Sequence, residues 1–197
     1  MLAKSFFAQN TVQVARDLLG MYLVHETETE KTVGKIVETE AYLAKNDPAC
    51  HAATRKTVRN DAMFRSPGTI YVYLSYGMYI LFNIKTGVKG HGEAVLIRAI
   101  EPVEGVEVMM KRRMWNDLKS HKNQYELTNG PGKLVLAMGI TMDHYGCSAT
   151  NTPLYVTKPT GTDPFKIITT TRIGIKKGCD LPLRFYIAGN GYVSKVI

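Results

Sequence analysis

Near the start of the chain the apolar positions fall at helical spacing. Val12, Val14, Ala15, Leu18 and Leu19 follow Thr11, and the run stops at Gly20. Thr11 as N-cap and Gly20 as a C-terminal stop predict a helix between them. The period then changes to two. Alternating, β-branched runs at 21–25 and 33–42 predict two paired strands joined by the polar stretch 26–31. Residues 43–67 carry no strong periodicity, and Pro48 and Pro67 punctuate them, which predicts a long loop with short helical turns.

Two further strand-like runs, 69–74 and 78–85, flank Ser75-Tyr76-Gly77 and predict a hairpin with a left-handed glycine, as a G1 bulge, at its turn. An odd number of turn residues would put Tyr73 and Asn83 on one face. A strand is expected at 94–100, a helix from Pro102 through Val106, Val108, Met109 and Arg112 to Trp115, and a short helix at 133–138. Strands at 154–157, 170–175 and 183–188 complete the pattern. No repeat or low-complexity tract divides residues 1–197, so the expectation is one α+β domain with a curved antiparallel sheet, flanking helices and a protruding β-hairpin.

Size and charge narrow the partners. With 197 residues, 45% of them hydrophobic, the chain suits a single core. Lys and Arg exceed Asp and Glu by 25 to 17, a formal charge of +8, which favours a polyanionic partner such as nucleic acid. Cys50, Cys147 and Cys179 are odd in number and widely spaced, predicting free thiols in a reducing compartment. The histidines show no ligand spacing, so neither metal nor cofactor is expected. No apolar stretch reaches the roughly 20 residues of a membrane span, and no signal peptide is evident at the start. A soluble cytoplasmic monomer without membrane contact is expected.

Candidate chemistry begins with Glu38 and Glu40, two residues apart at the end of a hydrophobic strand and therefore on one face of a regular strand. One is a candidate general base, and a pair of solvated strand residues is the plainer reading. Tyr71, Tyr73, Tyr76 and Tyr79 are concentrated in the hairpin. Strand packing accounts for alternating tyrosines, but Tyr76 falls at the tip, where a ring gains no packing and suits a wedge between bases. His51 in a loop is otherwise a solvated or core-bonded histidine, and Arg98, inside a hydrophobic strand, needs a carboxylate partner near Glu40. Gly130-Pro131-Gly132-Lys133 has the wrong spacing for a phosphate loop.

Taken in order, 38–42 (Glu-Thr-Glu-Ala-Tyr), His51, 68–79 through Asn83, 96–102, 129–134 and 182–186 resemble the alkyladenine (3-methyladenine) DNA glycosylase family, from about Phe6 to Ser194. The resemblance implies a hairpin that enters the minor groove and intercalates, and double-stranded DNA carrying damaged purines as partner. It assigns Glu40 as the base that activates water, with Arg98 near the water and the target phosphate. Tyr42, His51 and Tyr73 become walls around a flipped base, Asn83 its pocket floor, and Ala49, Leu81 and Leu96 further lining. Tyr76 matches the intercalating residue, while Lys133, Gly77 and Met78 correspond to DNA-backbone contacts. The implied reaction is monofunctional hydrolysis of 3-methyladenine, with 7-methylguanine, hypoxanthine and ethenoadenine as further candidates. A chain starting almost at the domain fits a compact bacterial enzyme working at the nucleoid, or a nuclear one in a eukaryote. Two other classes stay open: a noncatalytic DNA or RNA binder, and a hydrolase of free nucleosides.

Overall fold

The computed structural model describes residues 1–115, 123–161 and 164–195. Its described strands form one antiparallel sheet of eight: β1 Tyr22–Glu26, β2 Lys31–Tyr42, β3 Ile70–Ser75, β4 Tyr79–Lys85, β5 Ala94–Glu104, β6 Leu154–Thr157, β7 Ile167–Thr170 and β8 Arg184–Ile187. The spatial order is β3-β4-β5-β2-β1-β6, with β8 on β2 and β7 on β8. β2 organises the sheet. One edge pairs with β5, while the other takes β1 along residues 31–35 and β8 along 38–40. Three register shifts lie between Val33 and Thr39 in the β2–β5 ladder, and such bulges bend and twist the strand that carries them. The α+β fold with a curved antiparallel sheet agrees with the expectation.

Alternation along the strands sorts residues between two faces. Ile70, Val72, Phe82, Ile84, Val95, Ile97 and Phe185 join the main core with Phe7, Leu18 and Leu134. The opposite parity forms a row in register across five strands: Tyr71 on β3, Asn83 on β4, Leu96 on β5, Glu40 on β2 and Arg184 on β8. That row underlies the site. Tyr73 and Asn83 share its face, because Tyr71 pairs with Asn83 and Tyr73 with Leu81.

The helices are α1 Lys4–Phe7, α2 Thr11–Asp17, α3 Val106–Arg112 and α4 Pro131–Met138. α2 begins one residue earlier than its apolar pattern suggests: Asn10, not Thr11, is the N-cap, its Oδ1 accepting from the amides of Val12 and Gln13 at 3.0 and 3.3 Å. Thr11 is released to donate to Glu93 Oε2 at 2.5 Å inside the protein.

Other expectations need correction. Pro102 lies in β5, opposite Gly34, and does not open a helix. Beyond Leu96, β5 has lost β4 on its outer edge, and an unpaired edge tolerates a residue with no N–H. α3 starts only after Gly105, whose φ of 73° turns the chain. The hairpin turn is not a G1 bulge at Gly77 alone. Tyr76 (φ 50°) and Gly77 (φ 71°) are both left-handed, and the Met78 amide donates to Ser75 O at 3.0 Å, the pattern of a type I′ turn. The strand expected at 170–175 occupies Ile167–Thr170 instead, and the chain leaves the sheet where it meets Glu40. Residues 43–67 hold a single short helical turn, Asp61–Phe64.

No helix among the described residues is long and apolar enough to cross a membrane, and no group of three or more His, Cys, Asp or Glu side chains there could hold a metal ion.

Candidate active site

A cleft of about 790 Å³ opens on the polar-parity face of the sheet. One wall is the hairpin, with Tyr73, Ser75, Tyr76, Tyr79 and Leu81. The other is the start of α4, where Gly132 lets the chain approach Tyr79 so closely that a Cβ would sit 3.1 Å from its ring. Tyr42, Leu96 and Arg98 line it from the sheet, residues 173–175 close one side, and His51 and Arg59 reach in from the long loop.

Glu40 has no exposed surface. Its Oε2 accepts from the Tyr42 hydroxyl at 2.8 Å; its Oε1 accepts from the Ile173 amide at 2.9 Å and lies 3.2 Å from Arg98 Nη1. All three partners line the cleft. A carboxylate oxygen offers two lone pairs, so Oε2 keeps one free to accept a proton from a nucleophile. Burial, followed by the Glu40 charge, raises the Tyr42 hydroxyl far above its ordinary value and Tyr73 to about 12. Both phenols therefore remain neutral donors beside the carboxylate.

The base-wall candidates meet, but edge to face. The His51 and Tyr73 ring centroids are 4.5 Å apart at 70°, and Tyr71 stacks on Tyr73 at 5.3 Å and 29°. His51 Nδ1 is 2.9 Å from the Tyr71 hydroxyl. Burial first and Arg59 second hold its imidazole below the usual histidine range, in the neutral form at pH 7. Parallel walls around a base need a separation of about 7 Å, twice the contact distance of about 3.5 Å, so the rings leave no slot in this arrangement. Behind them a cavity of about 20 Å³ touches Ala49 and Asn83 as well as Tyr42, His51 and Tyr73. Asn83 is buried there, its amide donating to Tyr71 O at 3.1 Å.

The rim is open by contrast. Tyr76 is 86% exposed, Met78 70% and Tyr79 52%. Lys133 lines the cleft from α4, donating to Asn129 Oδ1 at 2.8 Å. Gly77 and Met78 sit at the tip and outside the cleft lining.

Several residues of the site have no signal in the sequence. Ile173 contributes only a backbone N–H. Arg172 forms a two-pronged pair with Asp47, both contacts 2.6 Å and both side chains buried, while its guanidinium covers the Tyr42 ring at 4.6 Å. Asp47 also accepts from the amides of Leu43 and Ala49, which shapes the loop beside the small cavity. Arg59 lies over Tyr73 at 5.6 Å, donates to Leu74 O, and Arg113 joins it in lining the cleft.

Residues 5–191 match the family model described as methylpurine-DNA glycosylase. Similar full-length proteins include one from Carboxydothermus hydrogenoformans, 47% identical over 99% of each chain, and one from Methanoculleus marisnigri, 48% identical over 98% of each. A third, from Bacillus licheniformis, is 43% identical over 98% of this chain and 96% of its own. Each bears the name "Putative 3-methyladenine DNA glycosylase". With that coverage and identity, the chain belongs to the methylpurine-DNA glycosylase family.

Proposed function

We propose that this protein removes alkylated or deaminated purines from double-stranded DNA by hydrolysing the N-glycosidic bond, with Glu40 activating the attacking water. The observation that carries this reading is the Glu40 carboxylate itself, buried beneath an aromatic cleft and held by Tyr42, Arg98 and the Ile173 amide, with one lone pair uncommitted. A pure nucleic-acid binder gains nothing from an anion buried directly behind the lining of its binding cleft. An oxocarbenium-like sugar gains both a proton acceptor and charge stabilisation from it.

The damaged nucleotide leaves the helix and enters the cleft, with Tyr76 filling the gap and Met78, Gly77 and Lys133 along the backbone. Damaged and mispaired bases cost less to extrude, which adds discrimination. The rings of His51 and Tyr73 turn apart to admit the base between Tyr73 and the Tyr42–His51 side, with Asn83, Ala49, Leu81 and Leu96 around it. A 3- or 7-alkylated purine carries positive charge and is a ready leaving group; hypoxanthine and ethenoadenine are the neutral candidates. The protein acts as a monomer, and no amine takes part at the anomeric carbon, so the product is an intact abasic strand.

The test is release of free base from duplex oligonucleotides bearing 3-methyladenine or hypoxanthine, against the corresponding free nucleosides, with borohydride present in a parallel reaction. Release from duplex alone, with no trapped adduct, is expected. Equal turnover of free nucleosides, or a borohydride-trapped protein–DNA adduct, would overturn it.

A further inference from the structure

Glu40 does not own its arginine outright. Arg98 stands between two buried carboxylates, with Nη1 3.2 Å from Glu40 Oε1 and Nε 3.3 Å from Glu38 Oε1. Both contacts are ion pairs without a hydrogen bond, and Arg98 Nε is among the buried atoms left without a hydrogen-bond partner among the described residues. The cause lies at Glu38. Its Oε1 already accepts from Arg184 Nε at 2.6 Å and from Ser194 Oγ at 2.9 Å, and its Oε2 accepts from the Ser194 amide at 2.7 Å. Two lone pairs per oxygen leave Oε1 full. Arg184, wholly buried on β8, is itself anchored to the backbone carbonyl of Lys195.

We infer that Arg184 and the Ser194 segment are positioning residues for the reaction: by saturating Glu38 they keep Arg98 directed at Glu40. The inference rests on the reading of Glu40 as the base. Neither Arg184 nor Ser194 lines the cleft or makes a side-chain hydrogen bond to Glu40; Arg184 is the cross-strand neighbour of Glu40, so its charge also acts on Glu40 directly, whereas the uncharged Ser194 acts only through Glu38 and Arg98. Besides Arg98 and the cross-strand Arg184, the charged or titratable groups facing Glu40 are Tyr42 on its own strand, Tyr73 on β3 and Arg172 in the loop after β7, the last tied to Asp47. None of these three touches the Glu38 end of the network.

The coupling has a sign. Removing a donor from Glu38 opens Oε1 to Arg98 Nε, draws the guanidinium away from Glu40 and makes Glu40 easier to protonate. Removing the Glu38 charge leaves Arg98 to Glu40 alone and makes it harder. An opposite charge at this range moves a carboxylate by about 1 to 3 pH units, and a partial displacement should move it by about one. The acid limb of the pH–rate profile for single-turnover base release from a duplex should therefore rise in Arg184→Gln, rise less in Ser194→Ala, and fall in Glu38→Gln.

Direct loss of the Arg184 charge would also raise the limb, so Ser194→Ala, which changes no charge, and the double variant Glu38→Gln/Arg184→Gln separate the coupling from it, while a merely structural role would lower rates without moving the limb. If Arg184→Gln fails to fold, Ser194→Ala and the charge-balanced double variant Glu38→Gln/Arg184→Gln carry the test, the latter with a lowered limb. Limbs that coincide with wild type in variants folded by circular dichroism, or that all shift one way, overturn the inference. Glu40→Gln in the same series separates the two readings. If it cleaves at the wild-type rate, the base assignment fails; if it is inactive while the limbs stay fixed, only the coupling fails.

Discussion

Glu40, buried behind the cleft, and Tyr76, on its rim, stand under opposite physical regimes. Glu40 sits in register on the central strand, fully buried, with every contacting group fixed by the sheet or by a second buried ion pair. Tyr76 occupies a type I′ turn in a left-handed conformation that a large side chain rarely adopts, with 86% of its surface in solvent. The end proposed to do the chemistry is fixed by the core. The end proposed to meet DNA is held by backbone geometry, with its side chains in solvent. Preorganised donors and charges need no rearrangement as the transition state develops, whereas a wedge must meet bases whose positions change as the helix opens.

The largest effect should come from breaking the buried end. Glu40→Gln retains shape and the acceptor for Ile173 but cannot take a proton from water. Loss of a general base alone costs about 10² to 10⁴ in rate. Single-turnover release of hypoxanthine or 3-methyladenine measures it, with lesion binding preserved in a gel-shift assay. Glu38→Gln should cost far less at neutral pH. Near wild-type cleavage by Glu40→Gln would remove the contrast between the two ends.

Next is the support for that end. Arg172→Met leaves Asp47 buried without its cation, a change worth about 3 to 5 kcal/mol, and strips the guanidinium from Tyr42. Urea unfolding should show the loss. A change under about 1 kcal/mol would mean that the pair is solvated and that the buried regime does not extend to the 43–49 loop.

How much of this was legible in the sequence follows the same division. Alternation in 69–85 and 94–100 identified the strands and the parity that sets Tyr73 with Asn83, because a half-buried sheet imposes a period of two on side chains. The Glu38/Glu40 spacing indicated a shared face, and their joint approach to Arg98 agrees. Long-range pairs left no trace: Asp47 and Arg172 are 125 residues apart, Glu38 and Arg184 are 146. The run 170–175 was misleading for a physical reason. Its β-branched residues suit a strand, yet the Arg172 charge and the Ile173 amide are drawn to Asp47 and Glu40, and the tertiary contacts override the propensity.

At the open end, Tyr76→Ala should remove stacking worth about 1 to 3 kcal/mol. It should impair release from duplex more than from single strands, since only a duplex closes over the vacated position. Equal losses on both would place Tyr76 outside the helix. Smaller still is Lys133→Ala: if this half-buried lysine at the cleft rim contacts one phosphate, the slope of log affinity against log salt should shrink by about one. Binding titrations between low and physiological salt read the slope, and an unchanged value would remove Lys133 from the interface.

The smallest expected effect compares a histidine in each regime. His25 is buried, with Nδ1 2.6 Å from Met138 O, an acceptor only, so that nitrogen carries the proton and a second would go to Nε2. Burial is the main force holding its imidazole below the usual range; the Met138 carbonyl opposes it, and His144 and Arg112 add to the lowering. A group whose folded value is depressed contributes stability fully above its unfolded value of about 6.5 and loses it as pH falls through the folded one. The melting temperature should therefore decline on acidification from pH 7 to 5, and His25→Asn, which keeps a donor for Met138 but cannot titrate, should flatten that decline. His51 is depressed in the same direction, but in an exposed loop whose local opening exposes the ring without global unfolding. His51→Asn should leave the slope of melting temperature against pH close to wild type, and a flattening equal to that of His25→Asn would show that the rim is as tightly coupled to the fold as the core.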